Sequence, residues 1–196
     1  CDSIEIDYLL RYVCGFSSSD LIVNLLENIT DQQLTLFNTC LDRRLNDEPL
    51  DYIIGTSEFC GRLYGVNKGV LIPRSETELL VTLAKSVIHE YFTTSFHGIE
   101  CGFGSGVISI ELALAFKDSH WMAMDISEDA LICAQKNSKK HQVNVDWQLI
   151  NFFESKFLWK GLKDPFIFIS NPPYIPTRDI DHLDVSVKDY EPHLAL

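Results

Sequence analysis

The chain has 196 residues, of which 46% are hydrophobic, and carries a formal net charge of −12. The length suits one domain with a small appendage, and the charge argues against direct nucleic-acid binding, because phosphate binding needs clustered lysine and arginine. No apolar run approaches the roughly 18 residues of a membrane span and no basic-then-apolar segment opens the chain, so we expect no membrane partner and a cytoplasmic protein, or an organellar matrix protein if the source is eukaryotic.

Residues 1–50 are expected to form a small helical domain. Apolar residues recur at helical spacing over residues 6–13, and Gly15 follows as a stop signal. Thr30 and Gln33 have the spacing of a capping box, ahead of a further apolar face. This pattern predicts a helical bundle that packs on something larger.

Residues 51–72 are predicted to form a β-hairpin linker. They interleave bulky apolar residues with four glycines, a composition that is typical of strands and turns. Pro73 ends the segment, and Glu76 or Thr77 is expected to open a helix.

From residue 96 onward, strand and helix patterns alternate. Strands are predicted over residues 96–101, 120–125, 145–150 and 165–170, and helices over residues 106–116 and after Ser127. Such alternation is typical of a parallel sheet with helices on its faces. Residues 73–196 are therefore predicted to form an α/β domain.

A glycine-rich run over residues 100–106 is the first candidate site, because it lies between a predicted strand and a predicted helix. Glycines let the backbone turn sharply and approach a ligand, and in such sheets ligands bind beyond the carboxyl ends of the strands. Asp125 ends the next strand, at the chain distance where a carboxylate meets ribose hydroxyls. Together they indicate an adenosine-containing ligand. Taken alone, the glycines fit a structural turn and Asp125 fits an acid at a helix N-terminus.

The spacing of this run favours S-adenosylmethionine over NAD. The glycines follow G-x-G-x-G, whereas the dinucleotide fingerprint G-x-G-x-x-G would need a glycine at Val107. Glu100 would repel a pyrophosphate and suits a cationic amine or sulfonium. No metal is expected, because the six cysteines are scattered without a C-x-x-C pair. The predicted cofactor residues of the run are Glu100, Gly102, Phe103, Gly104, Ser105 and Gly106.

An amide and aromatic rings follow the third predicted strand. Asn151 and Phe152 are expected to meet an adenine by hydrogen bonding and stacking. A capping asparagine followed by two core phenylalanines, Phe152 and Phe153, is the alternative interpretation.

The stretch "ISNPPYIP" over residues 169–176 follows the fourth predicted strand and holds three prolines in five positions. Prolines fix their own backbone, so Asn171 is expected to stand rigidly at the ligand edge of the sheet. The Asn171 side-chain oxygen and the Pro172 carbonyl can accept both N–H bonds of a planar amino group, which turns its nitrogen toward an electrophilic methyl group. Tyr174 would supply a flat wall. We therefore predict Asn171, Pro172 and Tyr174 as catalytic, with Asn171 also touching the cofactor.

The motif Asn171-Pro172-Pro173-Tyr174 looks like the signature of methyltransferases that act on exocyclic or amide nitrogens. "RRLNDEPLDYIIG" (43–55), "GVLIPRSETELL" (69–80) and "DYEPHLAL" (189–196) resemble the HemK/PrmC family of peptide-chain release factor glutamine methyltransferases. The resemblance implies a class I, Rossmann-like methyltransferase sheet over residues 73–196, preceded by the hairpin and by a helical domain that recognises release factors. It further implies methylation of the glutamine in their Gly-Gly-Gln motif, with S-adenosylmethionine as donor.

Carried over residue by residue, the resemblance assigns the methionine part of the donor to residues 102–106, the ribose to Asp125 and the adenine to Phe152. The implied glutamine pocket comprises Asn171, Pro172, Pro173 and Tyr174, with Leu71 and Arg74 at its border. The implied partner is a release factor, with no direct nucleic acid, and we expect a monomer.

Two departures from the family pattern lie in the donor site. Phe103 stands where a threonine is usual and is expected to tighten or reshape that site, and Asn151 stands where an aspartate is common. The family pattern also continues beyond Leu196, so we expect the sheet to be C-terminally incomplete. Two rivals stay open: a DNA adenine-amine methyltransferase, which should show a basic recognition region that this sequence lacks, and a non-catalytic module that binds S-adenosylmethionine or the release factor.

Overall fold

The computed structural model describes residues 2–24, 26–154 and 165–196. The first helices are α1 (Ser3–Cys14), α2 (Ser18–Val23), α3 (Asp31–Leu45) and α4 (Leu50–Ile54). The predicted capping box is confirmed, because Gln33 N donates to Thr30 Oγ1 at 3.2 Å and Thr30 N donates to Gln33 Oε1 at 2.9 Å. Gly15 ends α1 in the left-handed conformation with φ 68°.

A small hydrophobic cluster joins α1, α3 and α4. Leu9 of α1, Cys40 of α3 and Ile53 of α4 are each at most 3% exposed. The Arg44 guanidinium donates to Glu5 Oε1 at 2.8 Å, which links α3 to α1. The N-terminal segment is therefore a packed helical unit, as the sequence predicts.

The hairpin is shorter than predicted. Strand β1 (Thr56–Phe59) pairs antiparallel with strand β2 (Arg62–Gly65). Residues 51–54 belong to α4 and not to the hairpin, because Pro49 begins a helical turn there and Gly55 ends it at φ 79°. A short apolar run such as residues 52–54 is compatible with either a strand or a buried helical turn, so its period does not decide between them.

Four parallel strands form the second sheet: β3 (His97–Cys101), β4 (His120–Asp125), β5 (Asp146–Leu149) and β6 (Phe166–Ser170). Their order is β5-β4-β3-β6. Helices α5 (Ser75–Tyr91), α6 (Val107–Ala115) and α7 (Glu128–His141) flank the sheet strands in sequence, and the short helix α8 (Val185–Lys188) lies near the end. The predicted α/β fold with a parallel sheet is confirmed.

The register of the sheet decides where the site lies. Cys101 at the end of β3 pairs with Met124 of β4 on one side and with Ser170 of β6 on the other. The carboxyl ends of these strands therefore lie side by side, and the loops that follow them open at one edge of the sheet.

The hairpin is fastened to α6 by a buried carboxylate. Glu111 is 2% exposed and accepts a hydrogen bond from the Tyr64 hydroxyl at 2.7 Å. Arg62 Nη1 donates to the two oxygens of the same carboxylate at 3.0 and 3.1 Å.

Across the described residues, no helix combines the length and the apolar content that a membrane crossing requires.

Candidate active site

A cavity of about 560 Å³ opens at the carboxyl edge of the parallel sheet. The predicted site residues that line it are Leu71, Arg74, Glu100, Gly102, Phe103, Gly104, Ser105, Asp125, Asn151, Phe152, Asn171, Pro172 and Pro173. Gly106 and Tyr174, which were also predicted, are not part of this lining. The loops that follow the four strands and the segment 69–77 thus surround one cavity.

The glycine loop is open toward a ligand at two of its three glycines. Gly102 and Gly104 have φ angles of +76° and +52°, and a Cβ added at either position would meet nothing within 4 Å. A Cβ at Gly106 would instead lie 2.9 Å from the Trp147 ring and 3.0 Å from Ala134 Cβ. Gly106 therefore allows the start of α6 to pack against α7 and β5, and its predicted cofactor contact stays a prediction.

Phe103 does not project its ring freely into the cavity. The side chain is 3% exposed, and its ring packs edge-to-face on Trp147 with 4.9 Å between the ring centroids. The bulk of the phenylalanine is thereby accommodated in the core between the glycine loop and β5.

Asp125 takes the role at the start of a helix that its sequence position left open, and its ribose contact stays a prediction. Asp125 Oδ2 accepts the backbone N–H of Gly104 at 2.9 Å, and Oδ1 accepts that of Ser127 at 3.0 Å. The carboxylate thus ties the glycine loop to the start of α7. Each carboxylate oxygen keeps further acceptor capacity, so both can still receive hydroxyl groups of a ligand.

Glu100 is almost fully buried, with 1% of its surface exposed. Its Oε2 accepts the backbone N–H of Ser109 at 3.0 Å and also the Ser109 hydroxyl. Burial raises the pKa of the Glu100 carboxyl to about 8, with a smaller increase from the nearby Asp125 charge, while the Ser109 hydrogen bonds act in the opposite direction. Glu100 therefore anchors the first turn of α6, and the negative charge expected toward a cationic ligand stays a prediction.

The residues after β5 combine a capping amide with aromatic surface. Asn151 Oδ1 accepts the Phe153 N–H at 3.0 Å, which is the capping role that the sequence left open. The ring centroids of Phe152 and of Phe168 on β6 lie 5.5 Å apart, and both residues line the cavity. Phe153 is 80% exposed, so the alternative of two core phenylalanines is wrong for that residue.

Asn171 is held by the first turn of α5. Its Nδ2 donates to Thr77 Oγ1 at 3.4 Å. Because the amide nitrogen faces Thr77, the amide oxygen points to the other side and is available as an acceptor. The preceding residue is also fixed, since Ser170 Oγ donates to the Cys101 carbonyl at 2.8 Å.

Tyr174 is 78% exposed and does not line the cavity, so the flat wall expected from its ring stays a prediction. The backbone N–H groups of Tyr174 and Ile175 donate to the Leu196 carbonyl at 3.0 and 2.8 Å. These bonds fix the loop through its main chain and leave the ring outside the cavity. The catalytic role predicted for Tyr174 stays a prediction.

Arg74 is committed to a partner inside the protein. Its guanidinium pairs with Glu191, whose side chain is 1% exposed. The same carboxylate accepts the backbone N–H of Ile72 at 3.1 Å. Arg74 lines the cavity but binds the segment 189–196, so its predicted substrate contact is at most a border role.

Several cavity residues were not predicted as site residues from the sequence. They are Ile126, Ser127, Phe153, Phe168, Leu194 and Ala195, among others. Strand alternation was a usable signal for Phe168, because it lies two residues from Ser170 and shares its face of β6. Leu194 and Ala195 carry no chemical signal, and only their place in the fold brings them to the cavity.

The parallel sheet, the glycine loop after β3, the acid that ends β4 and the Asn-Pro-Pro-Tyr loop after β6 together define a Rossmann-like, class I methyltransferase domain. Residues 77–185 match the model of the methyltransferase small domain, and residues 2–55 match that of the PrmC N-terminal domain. The chain belongs to the release factor glutamine methyltransferase family.

Three relatives illustrate this membership. The release factor glutamine methyltransferase of Lactococcus lactis is 37% identical over 196 residues, which cover 100% of this chain and 69% of that protein. Its counterpart in Geobacter sulfurreducens is 34% identical and matches 98% of this chain over 65% of its own length. A bifunctional methyltransferase of Rickettsia prowazekii is 36% identical over 98% of this chain and 40% of its own length. The chain thus spans between two fifths and about two thirds of these relatives.

Proposed function

We propose that this protein transfers a methyl group from S-adenosylmethionine to the side-chain amide nitrogen of the glutamine in the Gly-Gly-Gln motif of peptide-chain release factors. One observation carries the proposal: Asn171 and Pro172 line the same cavity as Gly102, Gly104 and Asp125. A group that can hold a planar amide and a loop that can hold an adenosine ligand therefore face one space. The names of the relatives supply the identity of the substrate.

The residues of the cavity fit S-adenosylmethionine. The volume of about 560 Å³ lies within the range of roughly 300–1,000 Å³ that is typical of small-molecule sites. Gly102 and Gly104 leave open space for the methionine part, the carboxylate of Asp125 can accept the ribose hydroxyls, and Phe152 offers an aromatic face to the adenine. When bound, this cofactor supplies an electrophilic methyl group.

The protein's own residues orient the substrate nitrogen. Asn171 Oδ1 would accept one N–H of the glutamine amide and the Pro172 carbonyl the other, at an angle that the prolines keep constant. Holding both hydrogens directs the nitrogen toward the methyl group at near-attack distance. These hydrogen bonds strengthen as the nitrogen becomes positive, so they favour the transition state over the bound substrate. No base with an unusual pKa is needed before the attack.

We assign release-factor recognition to the helical domain at residues 1–50, linkage to residues 51–72 and methyl transfer to residues 73–196. Exposed apolar side chains on the N-terminal helices support a docking role. Ile22, Val23 and Leu26 are 75%, 82% and 96% exposed, and exposed apolar surface of this kind marks protein-binding sites when it is contiguous. The net charge of −12 favours a protein partner over a nucleic acid.

We further propose that the protein acts as a monomer in the cytoplasm or an organellar matrix.

Transfer of a labelled methyl group tests the proposal. The chain, labelled S-adenosylmethionine and one acceptor are incubated together, the acceptor being a release factor, the same factor with its Gly-Gly-Gln glutamine replaced by glutamate, or adenine-containing DNA. We expect label only in the unmodified release factor. Label in the DNA would support the adenine-amine rival, and binding of the donor without any transfer would support a non-catalytic module.

A further inference from the structure

Asn137 makes three hydrogen bonds that connect the hairpin with the glycine loop. The residue lies on α7 and is 2% exposed. Its Oδ1 accepts the Gly65 N–H at 2.7 Å, and its Nδ2 donates to the Gly65 carbonyl at 2.9 Å and to the Ser105 carbonyl at 2.8 Å. One side chain therefore contacts both the last residue of β2 and a residue that lines the cavity.

Only an amide side chain satisfies this arrangement. A primary amide has two N–H donors and one acceptor oxygen in a single plane, and all three are used by Gly65 and Ser105. A carboxylate would face two carbonyl oxygens without a donor. An apolar residue would remove all three bonds and leave the Gly65 carbonyl with only the Cys133 thiol, at 3.2 Å. Gly65 belongs to the same arrangement, because a Cβ there would lie 3.2 Å from Asn137 Oδ1.

Asn137 contacts the glycine loop at Ser105, between two glycines whose backbones have wide conformational freedom. Ser105 is 4% exposed and lies between Gly104 and Gly106, which both have positive φ angles. Asp125 fixes the N–H of Gly104, and Asn137 fixes the carbonyl of Ser105. The two side chains therefore hold adjacent residues of the loop from α7 and from the end of β4.

We infer that Asn137 is a positioning residue for the donor site, which holds the glycine loop in its ligand-binding conformation and ties that conformation to the hairpin. The inference rests on the proposed function for the identity of the ligand, S-adenosylmethionine. A loop of glycines that is fixed in advance loses less conformational freedom on binding than a free one, so the donor binds more tightly. Asn137 acts through Ser105 and has no assigned contact with the donor.

The test compares two variants that each weaken the hairpin contacts. Asn137→Asp keeps the size of the side chain and the acceptor for Gly65 but loses at least one of the two donated bonds. Tyr64→Phe removes the hydrogen bond from the hairpin to Glu111, which lies on α6 outside the glycine loop. Calorimetric titration with S-adenosylmethionine and thermal unfolding are measured for both variants and for the unchanged chain.

We expect both variants to unfold at a lower temperature than the unchanged chain. Only Asn137→Asp should bind S-adenosylmethionine at least about tenfold more weakly, because it loses one or two hydrogen bonds that hold the glycine loop and the hairpin. Tyr64→Phe should keep its affinity within about twofold. Equal affinity losses in the two variants would reduce Asn137 to an anchor of the hairpin, and an unchanged affinity in Asn137→Asp would overturn the inference.

A second variant and the unchanged chain separate the remaining outcomes. If Asn137→Asp does not fold, Asn137→Ser, which removes the amide without adding a charge, takes its place under the same expectations. If the unchanged chain itself does not bind S-adenosylmethionine, the proposed function is refuted, and the inference about Asn137 is refuted with it. If the unchanged chain binds and Asn137→Asp or Asn137→Ser binds equally well, only the role of Asn137 is refuted.

Discussion

The side-chain nitrogen of Asn171 lies 3.4 Å from the hydroxyl oxygen of Thr77, although the two residues are 94 positions apart in the chain. Thr77 lies in the first turn of α5 and is 8% exposed. An amide carries its oxygen and nitrogen on one carbon, so a partner for the nitrogen also determines where the oxygen points. Thr77 thereby orients the acceptor that the proposed reaction requires.

Thr77→Val should lower turnover while leaving the affinity for S-adenosylmethionine unchanged. Valine matches threonine in size but offers no acceptor to Asn171, so the amide loses its fixed orientation. The loss of one neutral hydrogen bond, about 0.5–1.5 kcal/mol, corresponds to a decrease of up to about tenfold in rate. Methyl transfer under saturating donor is the measurement. Thr77→Ser keeps the hydroxyl and should restore most of the rate; equal rates for Val and Ser would exclude the orienting role.

Asp125→Ala should act on the donor and not on the chemical step. The variant removes the acceptor for Gly104 and the acceptor proposed for the ribose hydroxyls, and hydrogen bonds to a charged group contribute about 1.5–3 kcal/mol each. We expect the affinity for S-adenosylmethionine to fall at least about tenfold in calorimetric titration.

Ser127→Ala is the matched control for Asp125. Ser127 Oγ accepts the Ala130 N–H at 3.2 Å and caps the same helix, α7, without a carboxylate. The control keeps the carboxylate of Asp125, so it should lose stability and lose less donor affinity than Asp125→Ala does. If Asp125→Ala binds the donor as tightly as Ser127→Ala, Asp125 serves only the start of the helix.

The pH dependence of stability should carry the signature of Glu100. Burial raises the pKa of this carboxyl from its ordinary 4.5 to about 8. Between these values the folded chain holds a proton that the unfolded chain has released, so the contribution of Glu100 to the free energy of unfolding falls as the pH rises through this window. Glu100→Gln cannot ionise and should flatten this decline. Urea unfolding of both proteins between about pH 5 and pH 8 is the measurement, and parallel pH profiles would refute the assignment.

The ion pair between Arg74 and Glu191 should be a strongly coupled structural contact. Arg74→Met leaves a carboxylate that is 1% exposed without its cation, which typically costs about 3–5 kcal/mol. Glu191→Gln in the same chain should recover part of that loss, because it removes the buried charge. Urea unfolding of both single variants and the double variant measures the coupling. Strictly additive losses would show that the two residues do not stabilise the fold as a pair.

The sequence predicted where the site lies because the carboxyl ends of parallel strands must meet at one edge. The glycine loop, Asp125 and Asn171 each follow a strand, so their convergence needed only the strand pattern. The partner of Arg74 was beyond such reasoning, since Glu191 is 117 positions away and no local pattern links them. Nothing in the sequence indicated that Gly106 and Tyr174 lie outside the cavity lining, for a related reason. Which way a loop residue faces depends on tertiary neighbours such as Trp147 and Leu196, and a motif does not encode them.

Locating the methyl group on a release factor by tandem mass spectrometry is the most direct test of the proposed function. A release factor is incubated with S-adenosylmethionine and either the unchanged chain or Asn171→Ala, whose donor affinity is measured in parallel. We expect one methyl group on the glutamine of the Gly-Gly-Gln motif with the unchanged chain. Asn171→Ala should give none of this product and only weakly reduced donor binding, because Asn171 orients the amide and its hydrogen bond strengthens toward the transition state. A methyl group on another residue, or Asn171→Ala turnover at a tenth of the unchanged rate or better, would contradict the account.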